Sequence, residues 1–214
     1  MSNRWLTIER EGQRVVLKKC SQEAEGEVII PNGVTDIADL AFMQCGKVNE
    51  VFIPDSVTCI GMNAFVYCDL ISIHIPASVT RFVPYSGGII ITCPFYGNPN
   101  LKSITVDNNN PVFDSRNECN AIIEKSTNRL ILGCKNTIIP DSVSIIGNAS
   151  FYGFTEPIPI PEGIVEIEQY AFYYCNFRKI VIPNKNTKIY RLSFWKSTKV
   201  IRGDFGQFQD DFDF

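Results

Sequence analysis

Apolar residues recur along the chain at offsets that repeat. Val48, Val51 and Ile53 precede Pro54, and Leu70, Ile73 and Ile75 precede Pro76. Phe177, Ile180 and Ile182 stand in the same places before Pro183, and Leu101, Ile104 and Val106 keep the spacing ahead of Asp107. The last two positions of each set lie two residues apart, the period of a strand with one buried face. Beyond the proline the pattern changes. Pro31, Pro54, Pro140, Pro161 and Pro183 each precede a phenylalanine (Phe42, Phe65, Phe151, Phe172, Phe194) by eleven residues. Five identical spacings define a repeat, and each repeat predicts one strand, a stop at proline and a short apolar turn around the phenylalanine.

Two units depart from this spacing. Pro76 precedes its matching aromatic, Phe95, by nineteen residues, so an insertion of about eight falls within 83–94, where Val83-Pro-Tyr-Ser-Gly-Gly88 has loop composition. The unit over 107–139 is also long. In it Ala121-Ile-Ile-Glu124, a turn at Lys125-Ser-Thr-Asn128 and Arg129-Leu-Ile-Leu132 predict a β-hairpin in place of the short turn. At the start, Trp5-Leu-Thr-Ile8 and Arg14-Val-Val-Leu17 flank Glu9-Arg-Glu-Gly12, which predicts a capping hairpin within residues 1–26. Residues 204–214 are acidic and aromatic, and either fold back as a cap or form a free tail.

The three-position strand pattern has the L-x-x-L-x-L form of a leucine-rich repeat. It predicts a β-rich α/β fold: a right-handed leucine-rich-repeat solenoid of about seven units over 27–203. Parallel strands would line its concave side and short helical turns its convex side. Such strands stack about 4.8 Å apart, and no unit buries both its faces without neighbours. The frame I-P-x-x-V-x-x-I-G-x-x-A-F-x-x-C, met almost position for position by Ile53-Pro-Asp-Ser-Val57-Thr-Cys-Ile60-Gly-Met-Asn-Ala64-Phe65-Val-Tyr-Cys68, resembles the BspA-like class of leucine-rich repeats. Asn108-Asn-Asn-Pro-Val-Phe-Asp-Ser115, Asn120-Ala-Ile-Ile123 and Gly133-Cys134 resemble a variant unit of the same class. The resemblance implies a non-enzymatic protein of a kind frequent in host-associated bacteria, where some members are adhesins for host matrix proteins or other cells.

Composition narrows the function. Of 214 residues 45% are hydrophobic and 20% charged, enough to build a core and too apolar for a disordered chain. The net charge of −3 lacks the basic stripe of a nucleic-acid binder, so no nucleic acid is expected as partner. No aliphatic run exceeds the three residues of Ile89–Ile91, so no membrane insertion is expected. The first residues carry no apolar stretch of signal-peptide length. If Met1 is the native start, the expected compartment is the cytoplasm; if a signal peptide was trimmed away, it is the cell surface or the medium.

Candidate chemistry is sparse. His74 is the single histidine, which excludes a histidine-rich metal site, and no phosphate-binding glycine run is present. No cofactor, metal or catalytic residue is expected. An enzyme would need a pocket, and the insertion at 83–95 beside His74 is the place to look for one. The eight cysteines contain no Cys-x-x-Cys pair. Cys45, Cys68 and Cys175 share one repeat position, occupied elsewhere by Phe154, Ser197 and Asn98. A position that accepts phenylalanine reads as space-filling core with reduced thiols, against the alternative of a Cys45–Cys68 bridge. Asn148-Ala-Ser150 matches a glycosylation sequon inside a repeat turn and is read as chance.

Residues two places before each proline should project outward from the strands. That row reads Ile29, Phe52, His74, Thr105, Ile138, Pro159 and Val181. The row four places before reads Glu27, Glu50, Ser72, Ser103, Asn136, Pro157 and Lys179, acidic at one end and basic at the other, where Arg178 also lies. An apolar strip flanked by graded charge is the composition of an interaction surface. The expected function is protein–protein recognition through Ile29, Phe52, His74, Thr105, Ile138, Val181, Glu50 and Lys179. The partner is a protein of unspecified identity, and the oligomeric state is open, a monomer included. The rivals are a surface adhesin and a structural protein that self-associates.

Overall fold

The computed structural model describes residues 3–83 and 93–203. It opens on an antiparallel hairpin, β1 (Leu6–Glu11) and β2 (Arg14–Cys20). Repeats then alternate a longer strand with a two-residue strand: β3 (Gly26–Ile29) and β4 (Asp36–Ile37), β5 (Val48–Phe52) and β6 (Cys59–Ile60), β7 (Ser72–Ile75) and β8 (Arg81–Phe82). The long unit contributes β9 (Ser103–Val106), β10 (Phe113–Asp114), β11 (Ala121–Glu124) and β12 (Arg129–Gly133). Regular repeats resume with β13 (Ile145–Ile146), β14 (Glu166–Ile167), β15 (Lys179–Ile182), β16 (Lys188–Ile189) and β17 (Lys199–Arg202).

Two ladders run along this β-solenoid. In one, β2, β4, β6 and β8 pair in parallel, and β12, β13, β14 and β16 continue the pattern beyond the antiparallel β10–β11–β12 meander. In the other, β3 pairs β5, β7 pairs β9 and β15 pairs β17, all in parallel. The passes at 136–138 and 157–159 form no ladder; Pro157 and Pro159 have no N–H to give to one. The solenoid makes about eight turns rather than seven. β17 adds a last strand that is followed by Gly203 instead of the proline by which the units were counted.

The repeat frame is written in the backbone hydrogen bonds. The Phe42 N–H donates to the Ala64 carbonyl, Phe65 to Pro94, Phe151 to Ala171 and Phe172 to Ser193. In each case the acceptor immediately precedes the next aromatic. The rings therefore stack in columns: Phe42 on Phe65 at 4.8 Å and Phe65 on Phe95 at 5.1 Å, then Phe151 on Phe172 and Phe172 on Phe194, both at 5.2 Å. All these rings are buried, and each contributes roughly 2–3 kcal/mol of apolar burial. Phe95 enters the column in spite of the preceding insertion, of which residues 84–92 lie outside the described residues.

The same frame identifies what stands in for phenylalanine elsewhere. The Gly133 N–H donates to Ser150, and the Cys20 N–H to Ala41. Gly133 therefore holds the aromatic position in the hairpin unit and Cys20 holds it in the N-terminal hairpin. At Gly133 the column of rings is broken.

The helical pieces expected opposite the strands are not helices. Among the described residues the helical segments are two three-residue 3₁₀ turns, Asn3–Trp5 and Arg116–Glu118. The turns around Phe42, Phe65, Phe151 and Phe172 are instead bracketed by left-handed residues. Leu40, Asn63, Ala149, Tyr170 and Leu192 lie two places before the ring, and Gln44, Tyr67 and Tyr174 two places after it, with φ between 53° and 63°. A left-handed residue ends a right-handed helix, and two of them leave too few residues to form one. Gly97 (φ 75°) and Gly153 (φ 80°) take the later place without side-chain strain.

Candidate interaction face

The parallel register sets side chains from successive units next to one another. Across β3 and β5, Glu27 faces Glu50 and Ile29 faces Phe52. Across β7 and β9, Ser72 faces Ser103 and His74 faces Thr105. Across β15 and β17, Lys179 faces Lys199 and Val181 faces Ile201. Alternation sends the intervening residues inward: Val28, Val51, Ile73, Ile104 and Ile180 are buried. The outward apolar residues keep substantial contact with solvent, with 45% of Ile29, 49% of Phe52 and 77% of Ile138 accessible. Val181 is half-buried and Ile201 buried.

Glu50, Phe52, Ser72, His74, Ser103 and Thr105 line one shallow groove of about 250 Å³. Within it the Ser72 hydroxyl donates to Glu50 at 3.2 Å, and His74 Nδ1 lies 2.9 Å from the Thr105 hydroxyl. The groove holds hydroxyls, one carboxylate, one imidazole and an aromatic wall. It has the makings of a recognition surface: an apolar anchor beside polar groups that fix orientation.

The row is not continuous along the molecule. The passes through β9 and through 136–138 adjoin at their start, where the Lys135 N–H donates to Leu101. Further along, residues 115–119 wedge between them. The Ser115 hydroxyl donates to the Ile104 carbonyl, and the Ile138 N–H donates to Cys119. Ile29, Phe52, His74, Thr105 and Glu50 are thus brought together in one block. Ile138 stands alone past the wedge, and Val181 and Lys179 belong to a second block.

The shared cysteine position has a function the sequence reading missed. All eight cysteines are buried and unpaired. The Cys68 thiol donates to the Phe42 carbonyl at 3.1 Å, and the Cys175 thiol to Phe151 at 3.0 Å. Asn98, at the same position, donates to the Phe65 carbonyl at 2.8 Å. The residue is a donor to the preceding turn, not filler alone. Burial pushes the Cys68 and Cys175 thiols up to about 12, so neither supplies a thiolate nucleophile at neutral pH.

A second aromatic surface, also missed, runs along the Ala-Phe turns. Tyr67, Tyr96, Tyr152, Tyr173, Tyr174 and Trp195 pack edge-on, tilted or stacked in a continuous chain of ring contacts between 4.3 and 6.3 Å. Tyr67 lies across Gly97, and its hydroxyl meets that of Tyr152 at 3.5 Å, spanning the unit where Gly133 contributes no ring to the inner column. The signal was present in the two residues that follow Phe65, Phe95, Phe151, Phe172 and Phe194. Among the described residues no three His, Cys, Asp or Glu side chains converge as for a metal ion, and no helix is long and apolar enough to cross a membrane.

Parallel strands stacked in a repeating frame, with outward rows free of catalytic groupings, define a leucine-rich-repeat solenoid. The chain belongs to the BspA-type leucine rich repeat family, whose model matches residues 18–127 and 121–207 in six copies. It is similar to a leucine-rich cell surface protein of Faecalibacterium prausnitzii, with 28% identity and a TM-score of 0.56 over 85% of this chain and 42% of that one. It shares its fold with the pneumococcal vaccine antigen PcpA, at 17% identity and a TM-score of 0.61 over 85% of this chain and 51% of that one. The chain therefore spans about half the length of these relatives, or less. No curated protein is significantly similar to it.

Proposed function

We propose that this chain is a non-catalytic protein-recognition module whose outward strand face binds a macromolecular partner. The observation that carries the reading is the pairing of Ile29 with Phe52, both about half exposed on a rigid ladder beside the His74–Thr105 groove. Apolar residues held out of the core by strand alternation gain their burial only from a partner. Glu50, Ile138, Val181 and Lys179 would extend the contact to either side. The test is capture of proteins from bacterial lysate and, separately, from host matrix by the wild-type chain and by an Ile29→Asp, Phe52→Asp variant of equal circular dichroism. A partner held by the wild type and lost by the variant supports the reading; equal capture contradicts it.

A cell-surface adhesin is the second reading. It is favoured by the similarity to the Faecalibacterium protein, which is described as a cell surface protein, and under this reading the chain would work outside the cytoplasm. Antibody labelling of intact cells of the producing organism distinguishes the two compartments.

A further inference from the structure

Cys20 and Cys45 hold different places in the repeat frame and meet in space. Cys20 ends β2 in the aromatic position of the N-terminal hairpin, its N–H donating to the Ala41 carbonyl at 2.6 Å. Cys45 closes the next turn, its N–H donating to the Phe42 carbonyl at 3.1 Å. The two sulfurs share one acceptor: Cys20 Sγ and Cys45 Sγ each lie 3.6 Å from the Ser21 carbonyl oxygen. The other thiols that bond a carbonyl do so singly, Cys68 to Phe42, Cys119 to Ala121, Cys134 to Asn120 and Cys175 to Phe151. From this geometry we propose that Cys20 and Cys45 are a redox site, joined as a disulfide by a peroxide, which fastens the N-terminal hairpin to the first repeat.

The two thiols have unequal roles. Hydrogen bonding to Cys45 and burial hold the Cys20 thiol well above the usual thiol range, and the same bond, with Cys20 as donor, holds Cys45 below it. Cys45 therefore supplies the thiolate, which is the attacking form. Its sulfur attacks one peroxide oxygen, the O–O bond breaks, and Cys45 becomes a sulfenic acid as hydroxide leaves. The Cys20 sulfur then attacks the Cys45 sulfur and gives its proton to the departing hydroxyl; the S–O bond breaks and water leaves. Both thiols are oxidised and the peroxide is reduced to two waters, the hydroxide taking the proton that Cys45 had given up. Both side chains are buried, so the oxidant must be small.

The bridge acts where the solenoid is open. An end unit has a neighbour on one side only, and here the neighbour of the first repeat is the hairpin that β2 completes. Cys20 and Cys45 are 25 residues apart, so joining them closes a loop that restrains the unfolded chain and ties β2 to the turn around Phe42. Cys68 is the competing partner for Cys45, but its thiol is turned to the Phe42 carbonyl at 3.1 Å.

Peptide mapping tests the proposal on the unaltered chain, reduced and then treated with hydrogen peroxide, alkylated in denaturant and digested with trypsin. No lysine or arginine lies between Lys19 and Lys47, so Cys20 and Cys45 share one tryptic peptide, while Cys68 falls in the next. Six of the eight cysteines should be alkylated, and the 20–47 peptide should be lighter by two hydrogens, counted apart from oxygen gained at Met43. Dithiothreitol should return both of its thiols to alkylation. The oxidised chain should unfold at higher urea, with a folding equilibrium constant raised about a hundredfold for a loop of this length. Alkylation of all eight cysteines after peroxide overturns the proposal, as does a crosslink between the 20–47 peptide and the one that carries Cys68. Oxidation of Cys20 and Cys45 that dithiothreitol does not reverse overturns it as well, and a bridge that leaves the urea midpoint unchanged overturns the fastening.

Discussion

Gly133 lies directly under the ring of Phe151: a Cβ built on Gly133 would come within 2.0 Å of Phe151 Cε1. Gly133 holds the phenylalanine position of its turn, and the hairpin unit leaves no room there for any side chain. The backbone at Gly133 has no left-handed φ, so the glycine is required for space and not for conformation. Gly133→Ala should cost about 1–3 kcal/mol by overpacking, and Gly133→Val more. Urea denaturation of the variants measures this, and an Ala variant as stable as the wild type would show that the two halves of the column adjust freely.

The buried thiols should make stability fall at high pH. Burial raises Cys68, Cys93 and Cys175 from 9.0 to about 12. In the unfolded chain these thiols ionise near 9.0, so their neutral form stabilises the folded state fully below that pH. The contribution is lost as pH rises from 9 towards 12, at up to about 1.4 kcal/mol per pH unit for each thiol. Urea midpoints at pH 8 and pH 10.5 should differ in that direction. A Cys68→Ala, Cys93→Ala, Cys175→Ala variant should show a shallower slope.

The donor function of the cysteine position predicts a specific cost. Cys175→Ala leaves the buried Phe151 carbonyl without the thiol and opens a small space, for about 1–3 kcal/mol. A thiol reagent should label no cysteine in the folded chain and all eight in denaturant, since each is buried and unpaired. Labelling of fewer than eight in denaturant without reductant would reveal a disulfide.

Glu168 links the hairpin unit to the repeats that follow. Its Oε2 accepts Arg129 Nη2 and, at 2.8 Å, the Asn148 N–H. The site is about three-quarters buried, so Glu168→Gln should cost about 1–2 kcal/mol by taking the negative charge away from the two hydrogen bonds. Differential scanning calorimetry should then record a lower Tm; an unchanged Tm would show that the two parts are joined by packing alone.

Much of this fold was legible because layers must register. The eleven residues from proline to phenylalanine are held constant by ring stacking, so Phe42, Phe65, Phe151, Phe172 and Phe194 declare the repeat in sequence alone. The outward row was legible for the same reason, since strand alternation is local. The turns were not. Leu40, Tyr170 and Leu192 have no intrinsic preference for the left-handed region, and only hydrogen bonds to the neighbouring turn hold them there. The wedge at 115–119 was hidden because an insertion has no frame to align with, and it divides a strip that reads as continuous. Asn98 was a missed clue: a buried amide in the cysteine position points to a donor.

Hydroxyl-radical footprinting distinguishes recognition through the strand face from recognition through the tyrosine-rich turn face. Both faces carry oxidisable side chains exposed to solvent: Phe52 and His74 on the strands, Tyr67 and Tyr174 on the turns. With the captured partner bound, oxidation should fall at Phe52 and His74 and stay constant at Tyr67 and Tyr174. Protection of Tyr67 and Tyr174 with Phe52 and His74 still reactive would move the binding face to the turns.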